Sequence, residues 1–286
     1  MVVAKIFKCS GNEMEIIPSK LLEDLNISFE AGNNNASDMV LLAKALKTEN
    51  KKEYCRLPFC HTVEAEALGS QVIFSEAVGN RIGKYRIEDI SSIDHISKID
   101  LTKGRIAKVI KAARILKEEG EKLVLDVTGP ISIATSIMDS TLFYKALRKN
   151  REKIDLCLDI IEDSIVEYIL EAIELGVNII SFADPTGTID IVGPKVYKDV
   201  SGKVTYRILK RIENKLGKTL VHLCGKTSTS LEAIGLLETE ILEARGEDYL
   251  QMIQNIKGDR NDIKFIGHWC LNLNKCKRQI ISCRIK

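Results

Sequence analysis

The sequence predicts an α/β fold whose parallel sheet is arranged as a TIM-type (β/α)8 barrel. From residue 54 to residue 270, apolar strand-like runs alternate with segments of helical periodicity, as expected for parallel strands joined by helices. Each run ends in glycine, proline or polar residues, which is typical of the active face of a barrel. Neither G-x-G-x-x-G nor a Walker A sequence follows a strand, and this disfavours a nucleotide-binding, doubly wound sheet.

Composition predicts one soluble domain. The chain has 286 residues, of which 45% are hydrophobic and 29% charged, so we expect a single domain over 1–286 with a variable N-terminal part at 1–50. The net charge of +2 gives no sign of a nucleic-acid or membrane surface. Because no apolar leader or membrane span is visible, we expect a cytoplasmic protein. Disulfides are rare in that compartment, so its 8 cysteines predict metal binding or burial.

The first elements are short. The apolar runs at 16–18 and 27–29 predict brief strands, the Gly-Asn-Asn-Asn cluster at 32–35 predicts a loop, and helical periodicity begins at Ser37. A strand is expected at 54–60, where Pro58 marks its end.

The next segment, 61–69, predicts a helix at a strand-to-helix junction. Thr62 is placed to cap this helix, while Glu64 and Glu66 suit its positive dipole end. Cys60 and His61 stand at the same junction, so these side chains either line a site or simply begin the helix. For the two carboxylates these interpretations are evenly balanced, and for His61 the second is favoured.

Two buried strands follow, separated by helices. The apolar run at 122–128 contains Asp126, which is costly in such a strand unless hydrogen-bonded, so it belongs either to a buried network or to a site. A long helix or a pair of helices is predicted at 142–175. A second apolar strand at 178–184 ends in Asp184, at the carboxyl end where catalytic groups of parallel sheets collect.

The strongest chemical signal is a His-x-Cys sequence at the end of the strand that begins at residue 219. Successive side chains of a strand alternate between its faces, so His222 and Cys224 point the same way. A later strand at 263–270 ends in a second His-x-Cys, His268 and Cys270. Both pairs are expected to converge on the same mouth of the barrel.

A zinc site is the preferred interpretation of these motifs. Catalytic zinc keeps about three protein ligands and one open position, and we favour His222, Cys224 and Cys270. Zinc lowers the pKa of an incoming thiol, and sulfur ligands keep the bound thiolate nucleophilic, so this set suits alkyl transfer to sulfur better than hydrolysis. A single His-x-Cys would favour buried side chains without metal. Two at strand ends favour the metal.

The sequence also resembles the methylcobalamin:coenzyme M methyltransferases, a branch of the uroporphyrinogen decarboxylase superfamily. The resemblance covers roughly residues 30 to 270. It is carried by the stretches LPFCHTVEAEALG at 57–69, VTGP at 127–130, FADPT at 182–186 and HLCGKT at 222–227.

This resemblance implies a barrel, a zinc ion held by His222, Cys224 and a later cysteine, and methyl transfer from a methylated corrinoid to a thiol. The donor would be methylcobalamin or a corrinoid protein, and the acceptor a thiol such as coenzyme M. For the third ligand, the rivals of Cys270 are Cys276, Cys283, Glu240 and Glu243.

The termini depart from the family pattern. The N-terminal region differs from the usual first strand, and the basic segment 274–286 stands where one more strand and helix are expected. A barrel shortened at its termini is therefore the alternative to a complete one.

Site roles can be assigned as hypotheses. We expect Asp126, Gly129 and Asp184 to contact the corrinoid or the acceptor, Asp184 to serve in catalysis, and Glu64 or Glu66 to accept the thiol proton. Two other functions compete with methyl transfer. A tetrapyrrole decarboxylase would need N-terminal arginines, and there is none before residue 50. A degenerate barrel would bind a corrinoid protein without activity.

Overall fold

The computed structural model describes residues 16–272 and 278–286, which form a mostly parallel sheet with helices on both faces. The strands are Tyr54–Leu57 (β1), Gln71–Ile73 (β2), Arg81–Lys84 (β3), Lys122–Thr128 (β4), Ile179–Ala183 (β5), Leu220–Leu223 (β6), Leu237–Glu243 (β7), Phe265–Gly267 (β8) and Gln279–Ile285 (β9).

The main sheet has the strand order β1-β4-β5-β6-β8-β9-β7. Its first five strands are parallel, as the alternation of strands and helices predicts, and the α/β class is confirmed. Strands β9 and β7 are antiparallel to their neighbours. The two edge strands, β1 and β7, do not pair with each other, so the described part of the chain forms an open sheet and not a closed barrel.

The helices are Ser19–Leu25 (α1), Phe29–Asn34 (α2), Ala36–Glu49 (α3), Val63–Ala67 (α4), Gly104–Glu118 (α5), Pro130–Ile137 (α6), Ser140–Lys149 (α7), Arg151–Glu174 (α8), Ile189–Val192 (α9), Pro194–Val196 (α10), Gly202–Ile212 (α11), Gly225–Ala233 (α12) and Tyr249–Asp259 (α13). Short 3-10 turns lie at Ile90–His95 and Pro185–Gly187, and a π-helical turn at Tyr197–Ser201. None of the helices in the described ranges is long and apolar enough to cross a membrane.

Alternation along the strands gives the sheet two different faces. One face contributes residues such as Leu125, Phe182 and Leu223 to the larger hydrophobic cluster, together with residues of α3, α5, α6, α8 and α11. The opposite face carries an apolar row of strand residues, which pack with the buried residues of α13. This row consists of Tyr54, Val124, Ile179 and Leu220. Helix α13 therefore covers the face that would line the interior of a barrel.

The N-terminal segment differs from its prediction. The strands predicted at 16–18 and 27–29 and the loop predicted at 32–35 are wrong, because α1 and α2 occupy most of this region. For residues 27–35 the reason lies in helix capping, which outweighs a three-residue apolar run. Ser28 accepts a hydrogen bond from the Ala31 N–H, and Asn35 accepts from the amides of Ser37 and Asp38. The helix predicted to begin at Ser37 is confirmed as α3.

The C-terminal segment supplies a strand, β9, that pairs with β8 on one side and with β7 on the other. A parallel return to the sheet requires a crossover helix, and the connection from β8 to β9 contains none in its described residues. Strand β9 is accordingly antiparallel. The helix or pair of helices predicted at 142–175 is confirmed as the pair α7 and α8 on either side of Asn150.

Candidate functional site

A polar row crosses the sheet one layer nearer to the carboxyl ends of the strands than the apolar row. Asp126 on β4, Ser181 on β5 and His222 on β6 are Cα partners in the strand register. All three line a cavity of about 260 Å³. Its wall also contains His61, Cys224, Lys226 and Cys270. The cavity therefore lies where parallel α/β sheets usually carry their sites.

His222 is a buried imidazole with a position that suits a ligand. Its side chain is only 1% exposed, and no side chain among the described residues hydrogen-bonds either ring nitrogen. Burial lowers the pKa of His222 to about 4, and the Arg56 guanidinium contributes in the same direction. The Asp126 carboxylate and a hydrogen bond with the Trp269 main chain oppose this shift. The ring is therefore neutral at physiological pH and keeps a lone pair, which is the form that binds metal. The ring of Tyr249 meets it edge to face, with centroids 5.6 Å apart.

Cys224 and Cys270 lie on the wall of the same cavity. Cys224 follows β6 and is the N-cap residue of α12, where the helix dipole favours an anionic side chain such as a thiolate. Cys270 lies beyond β8, in a segment without strand hydrogen bonding. The structure thus brings the three predicted zinc ligands to one cavity.

His268 does not reach this cavity. Strand β8 ends at Gly267, and His268 adopts a positive φ of 69°, so the expected side-by-side arrangement of His268 and Cys270 on a strand is wrong. Its Nε2 lies 2.7 Å from a Glu232 carboxylate oxygen, and its main-chain N–H donates to the Ser228 hydroxyl at 2.7 Å. In the second His-x-Cys, Cys270 therefore lines the cavity, whereas His268 binds to helix α12.

The donor types in the cavity fit zinc, and no side chain in the described part of the chain occupies the ring nitrogens of His222. Over residues 16–272 and 278–286, however, no three His, Cys, Asp or Glu side chains are gathered closely enough to form a ready-made metal centre. Of the rival third ligands, Cys283 is buried in the larger cluster, and Glu240 and Glu243 lie on the edge strand β7. Cys276 falls outside the described residues.

Asp126 is held by a partner that the sequence did not single out. The Arg56 guanidinium on β1 donates from both Nε and Nη2 to the two Asp126 carboxylate oxygens, the Nη2 bond measuring 2.9 Å. Its Nη1 donates to the Asn272 side-chain oxygen at 2.6 Å. Alternation places Arg56 on the same face as Tyr54, and this pattern was the available signal for an inward-facing arginine.

Asp184 lies directly behind the cavity wall as a helix cap. One carboxylate oxygen accepts from the Ser132 amide and hydroxyl, at 2.8 and 2.7 Å, and the other accepts from the Ile131 amide at 3.2 Å. Burial raises the pKa of Asp184, and these hydrogen bonds oppose the shift. Its neighbours Ala183 and Pro185 line the cavity, so the catalytic and corrinoid-binding roles of Asp184 stay predictions.

Gly129 leaves room for this carboxyl group. A Cβ atom at Gly129 would lie 2.3 Å from the Asp184 Cβ and 2.9 Å from its Cα, which is closer than real Cβ contacts. No corrinoid is needed to explain a glycine at this position, and its predicted contact with the corrinoid is untested.

Replacing Gly129 by alanine should therefore destabilise the fold by about 1–3 kcal/mol, the usual cost of forcing extra atoms into a packed region. Urea unfolding measures the difference. The matched control is Gly258→Ala on α13, where a Cβ meets nothing within 4 Å. There we expect a gain of about 0.5–1 kcal/mol, because alanine favours a helix more than glycine does. Equal stability of the two variants would contradict the steric explanation.

Glu64 and Glu66 face buried partners and not the cavity. Glu64 accepts from the Thr128 amide at 2.8 Å and from its hydroxyl at 3.0 Å, and so ties α4 to the end of β4. Glu66 accepts from the Arg105 Nε at 2.5 Å. The roles of both carboxylates in proton transfer remain untested predictions.

Thr62 is the N-cap residue of α4, as predicted, but its hydroxyl makes no capping bond and instead accepts a hydrogen bond from Arg105 Nη2 at 2.7 Å. Cys60 belongs to the same buried cluster, since Arg105 Nη1 donates to its sulfur at 3.1 Å. His61, for which plain helix capping was favoured, does line the cavity.

Glu64 predicts a pH dependence of stability. Burial raises the pKa of Glu64 above its usual 4.5, so the folded chain holds this proton to higher pH than the unfolded chain does. Its contribution to stability is complete below 4.5 and is lost as the pH rises through the raised value. Glutamine does not titrate, so Glu64→Gln lacks this loss. The stability of the variant relative to the wild type should therefore increase as the pH rises from acidic to neutral.

Urea unfolding of both proteins across that pH range is the measurement. The control is Asp89→Asn. Hydrogen bonds from Ser91 lower the pKa of the exposed Asp89 carboxyl, so the effect of this residue on the pH dependence of stability has the opposite sign. That variant should lose stability relative to the wild type as the pH rises. Parallel curves for wild type and Glu64→Gln would contradict a raised pKa at Glu64.

Comparison with known proteins gives one family and a set of distant relatives. A sequence profile of the uroporphyrinogen decarboxylase (URO-D) family matches residues 13–280. The methylcobamide:CoM methyltransferase MtaA of Methanosarcina barkeri (strain Fusaro / DSM 804) is 25% identical over 240 residues, covering 80% of this chain and 67% of the relative. The methylcobamide:CoM methyltransferase MtbA of Methanosarcina mazei is 27% identical over 201 residues, covering 69% and 59%.

A solved structure of a methyltransferase from Methanosarcina mazei superimposes with a TM-score of 0.64 at 21% identity. The match covers 72% of this chain and 60% of that one, and it supports the fold alone. This chain thus spans about two thirds or less of the length of the relatives that it matches.

Proposed function

The chain belongs to the uroporphyrinogen decarboxylase family, and on that premise we propose that it is a zinc-dependent methyltransferase. It would move a methyl group from a methylated corrinoid, either methylcobalamin or a corrinoid protein, to a thiol such as coenzyme M. The observation that carries this proposal is the buried His222, whose ring nitrogens have no side-chain partner in the described chain and which shares a cavity with Cys224 and Cys270. The distant likeness to MtaA and MtbA supports the choice of reaction.

His222, Cys224 and Cys270 would hold the zinc ion. Bound zinc supplies Lewis-acid chemistry that keeps an acceptor thiol in its thiolate form near neutral pH. His222 suits this role because its lowered pKa of about 4 leaves the imidazole neutral and ready to bind metal at pH 7. The two cysteines add sulfur donors, which keep a bound thiolate electron-rich.

The reaction itself needs little other than orientation from the chain. In the proposed reaction the acceptor thiolate would attack the methyl carbon of the donor. A carbon–sulfur bond would form as the carbon–cobalt bond breaks, and the electron pair of that bond would go to the donor's cobalt. The thiol proton leaves for the solvent or a nearby base. The cavity walls on β4, β5 and β6 position the acceptor, and Lys226 and Thr186 stand on the same wall. Asp184 and Gly129 would shape this wall from behind, next to Pro185.

The remaining expectations extend the same proposal. We propose that residues 1–286 form one domain and that the mostly parallel sheet is built on the barrel plan of its family, with α13 covering the face that a closed barrel would enclose. A corrinoid protein would approach the carboxyl edge of the sheet, where the cavity lies.

Methylcobalamin demethylation tests the activity. Zinc-loaded protein should convert methylcobalamin to cob(I)alamin only when a thiol is added, and a panel of coenzyme M, homocysteine and other thiols should identify the acceptor. The corrinoid absorption spectrum follows the reaction directly. If none of the thiols in the panel caused methylcobalamin to be consumed, the transferase assignment would be rejected. Decarboxylation of uroporphyrinogen would then replace it with the other activity known by the family's name.

A further inference from the structure

Cys270 lies on a short segment that follows strand β8. We call residues 268–272 the Cys270 loop. The loop starts where β8 ends, and none of its residues is part of a strand. By contrast, β6 fixes His222, and α12 begins directly after Cys224. Contacts at the two ends of this loop contribute to the position of the proposed third ligand.

The first end is fastened to α12. The His268 amide and imidazole contact Ser228 and Glu232, each at 2.7 Å. Glycines make this approach close, since a Cβ at Gly225 would lie 3.0 Å from the His268 carbonyl oxygen, and one at Gly267 would lie 2.6 Å from the Ser228 Cβ. The loop thus begins against the same helix whose N-terminus carries Cys224.

The other end is fastened to the first strand of the sheet. Asn272 offers its side-chain oxygen to Arg56 Nη1 at 2.6 Å, which is a charge-assisted hydrogen bond. Arg56 is itself fixed by its two-point contact with Asp126 on β4. Arg56, Asn272 and Leu271 line the cavity that holds His222 and also the neighbouring cavity of about 350 Å³. Asp126, Arg56 and Asn272 therefore form a chain of contacts from β4 to the loop.

We propose that Arg56 is a positioning residue that acts through Asn272 to hold Cys270 against the cavity shared with His222 and Cys224. The inference rests on the proposed zinc site and adds to it a role for a residue pair outside the ligand set. Partners that orient ligands typically change metal affinity by about 10- to 100-fold when they are removed. Fastening at both ends makes the cysteine available without a reordering of the loop.

The direct test is zinc affinity, measured with a chromophoric chelator as competitor. Asn272→Ala removes the contact of the loop with Arg56 and leaves the Arg56–Asp126 ion pair in place, and we expect zinc to bind about 10-fold more weakly or worse. Asn272→Asp keeps the oxygen that Arg56 contacts and should retain wild-type affinity. The control is Asn214→Ala, which removes an exposed contact with Lys264 at 3.0 Å, away from the cavity.

Cobalt identifies which ligand is lost. Cobalt(II) bound to the wild type should show a thiolate-to-cobalt charge-transfer band for two sulfur donors, and Asn272→Ala should reduce that band while circular dichroism stays unchanged. Wild-type zinc affinity and an unchanged cobalt band in Asn272→Ala would overturn the role of Arg56 and leave the proposed function intact. A folded wild type that binds neither metal would instead overturn the zinc site itself.

Discussion

The double variant His222→Ala, Cys224→Ala is expected to purify without zinc and to lose methyl transfer from methylcobalamin to any thiol. Both side chains line the cavity, and the ring nitrogens of His222 have no side-chain partner in the described part of the chain. Two of three ligands would be gone. The fall in activity should exceed the roughly 10- to 100-fold effect of changing a residue outside the ligand set. Zinc content by mass spectrometry and the corrinoid spectrum are the two measurements.

The control is His95→Ala, Cys157→Ala, which replaces the same residue types outside the cavity. His95 ends a 3-10 turn, and Cys157 is buried on α8. This protein should keep about one zinc per chain and its activity. If the His222, Cys224 variant kept both zinc and activity, the assignment of the metal site would be wrong.

Asp126→Ala should produce the largest loss of stability. Arg56 has a side chain that is 21% exposed, and without Asp126 it keeps its bond to Asn272 but loses its counter-ion. Removing one member of a buried ion pair typically costs about 3–5 kcal/mol, and the partial exposure of Arg56 places this case near 3 kcal/mol. Urea unfolding with the wild-type m-value gives the difference.

A double replacement separates the charge effect from packing. In Arg56→Met, Asp126→Leu both charges are gone and apolar groups fill similar volumes, so this protein should be more stable than Asp126→Ala. That result would indicate that the ion pair serves to orient Arg56 at the cavity, and that stability is lost only when one partner is left without the other. A double variant that is no more stable than Asp126→Ala would show that the loss came from packing.

The central strands and the core of the site were readable from the sequence. Apolar runs at 122–128 and 178–184 are long enough for buried parallel strands, and the structure confirms them as β4 and β5. Alternation placed His222 and Cys224 on one side of β6, and both line the cavity. Local periodicity decides these features, so no distant contact had to be known.

Other features depend on contacts between residues that are far apart in sequence. The positive φ of His268 ends β8 early, and the partner that holds this residue is Glu232 on another element. Glu64 and Glu66 looked like helix-end charges, yet their partners are Thr128 and Arg105. The direction of β9 follows from the connection that precedes it, and the apolar pattern of a strand does not predict this direction.

X-ray absorption at the zinc edge tests the central claim most directly. Zinc-loaded wild-type protein should show two sulfur neighbours at about 2.3 Å and one imidazole nitrogen at about 2.0 Å, with the remaining position filled by a light atom. Addition of an accepted thiol should raise the sulfur count to three. A zinc ion surrounded only by nitrogen and oxygen, or a folded chain that retains no zinc, would contradict the site of His222, Cys224 and Cys270.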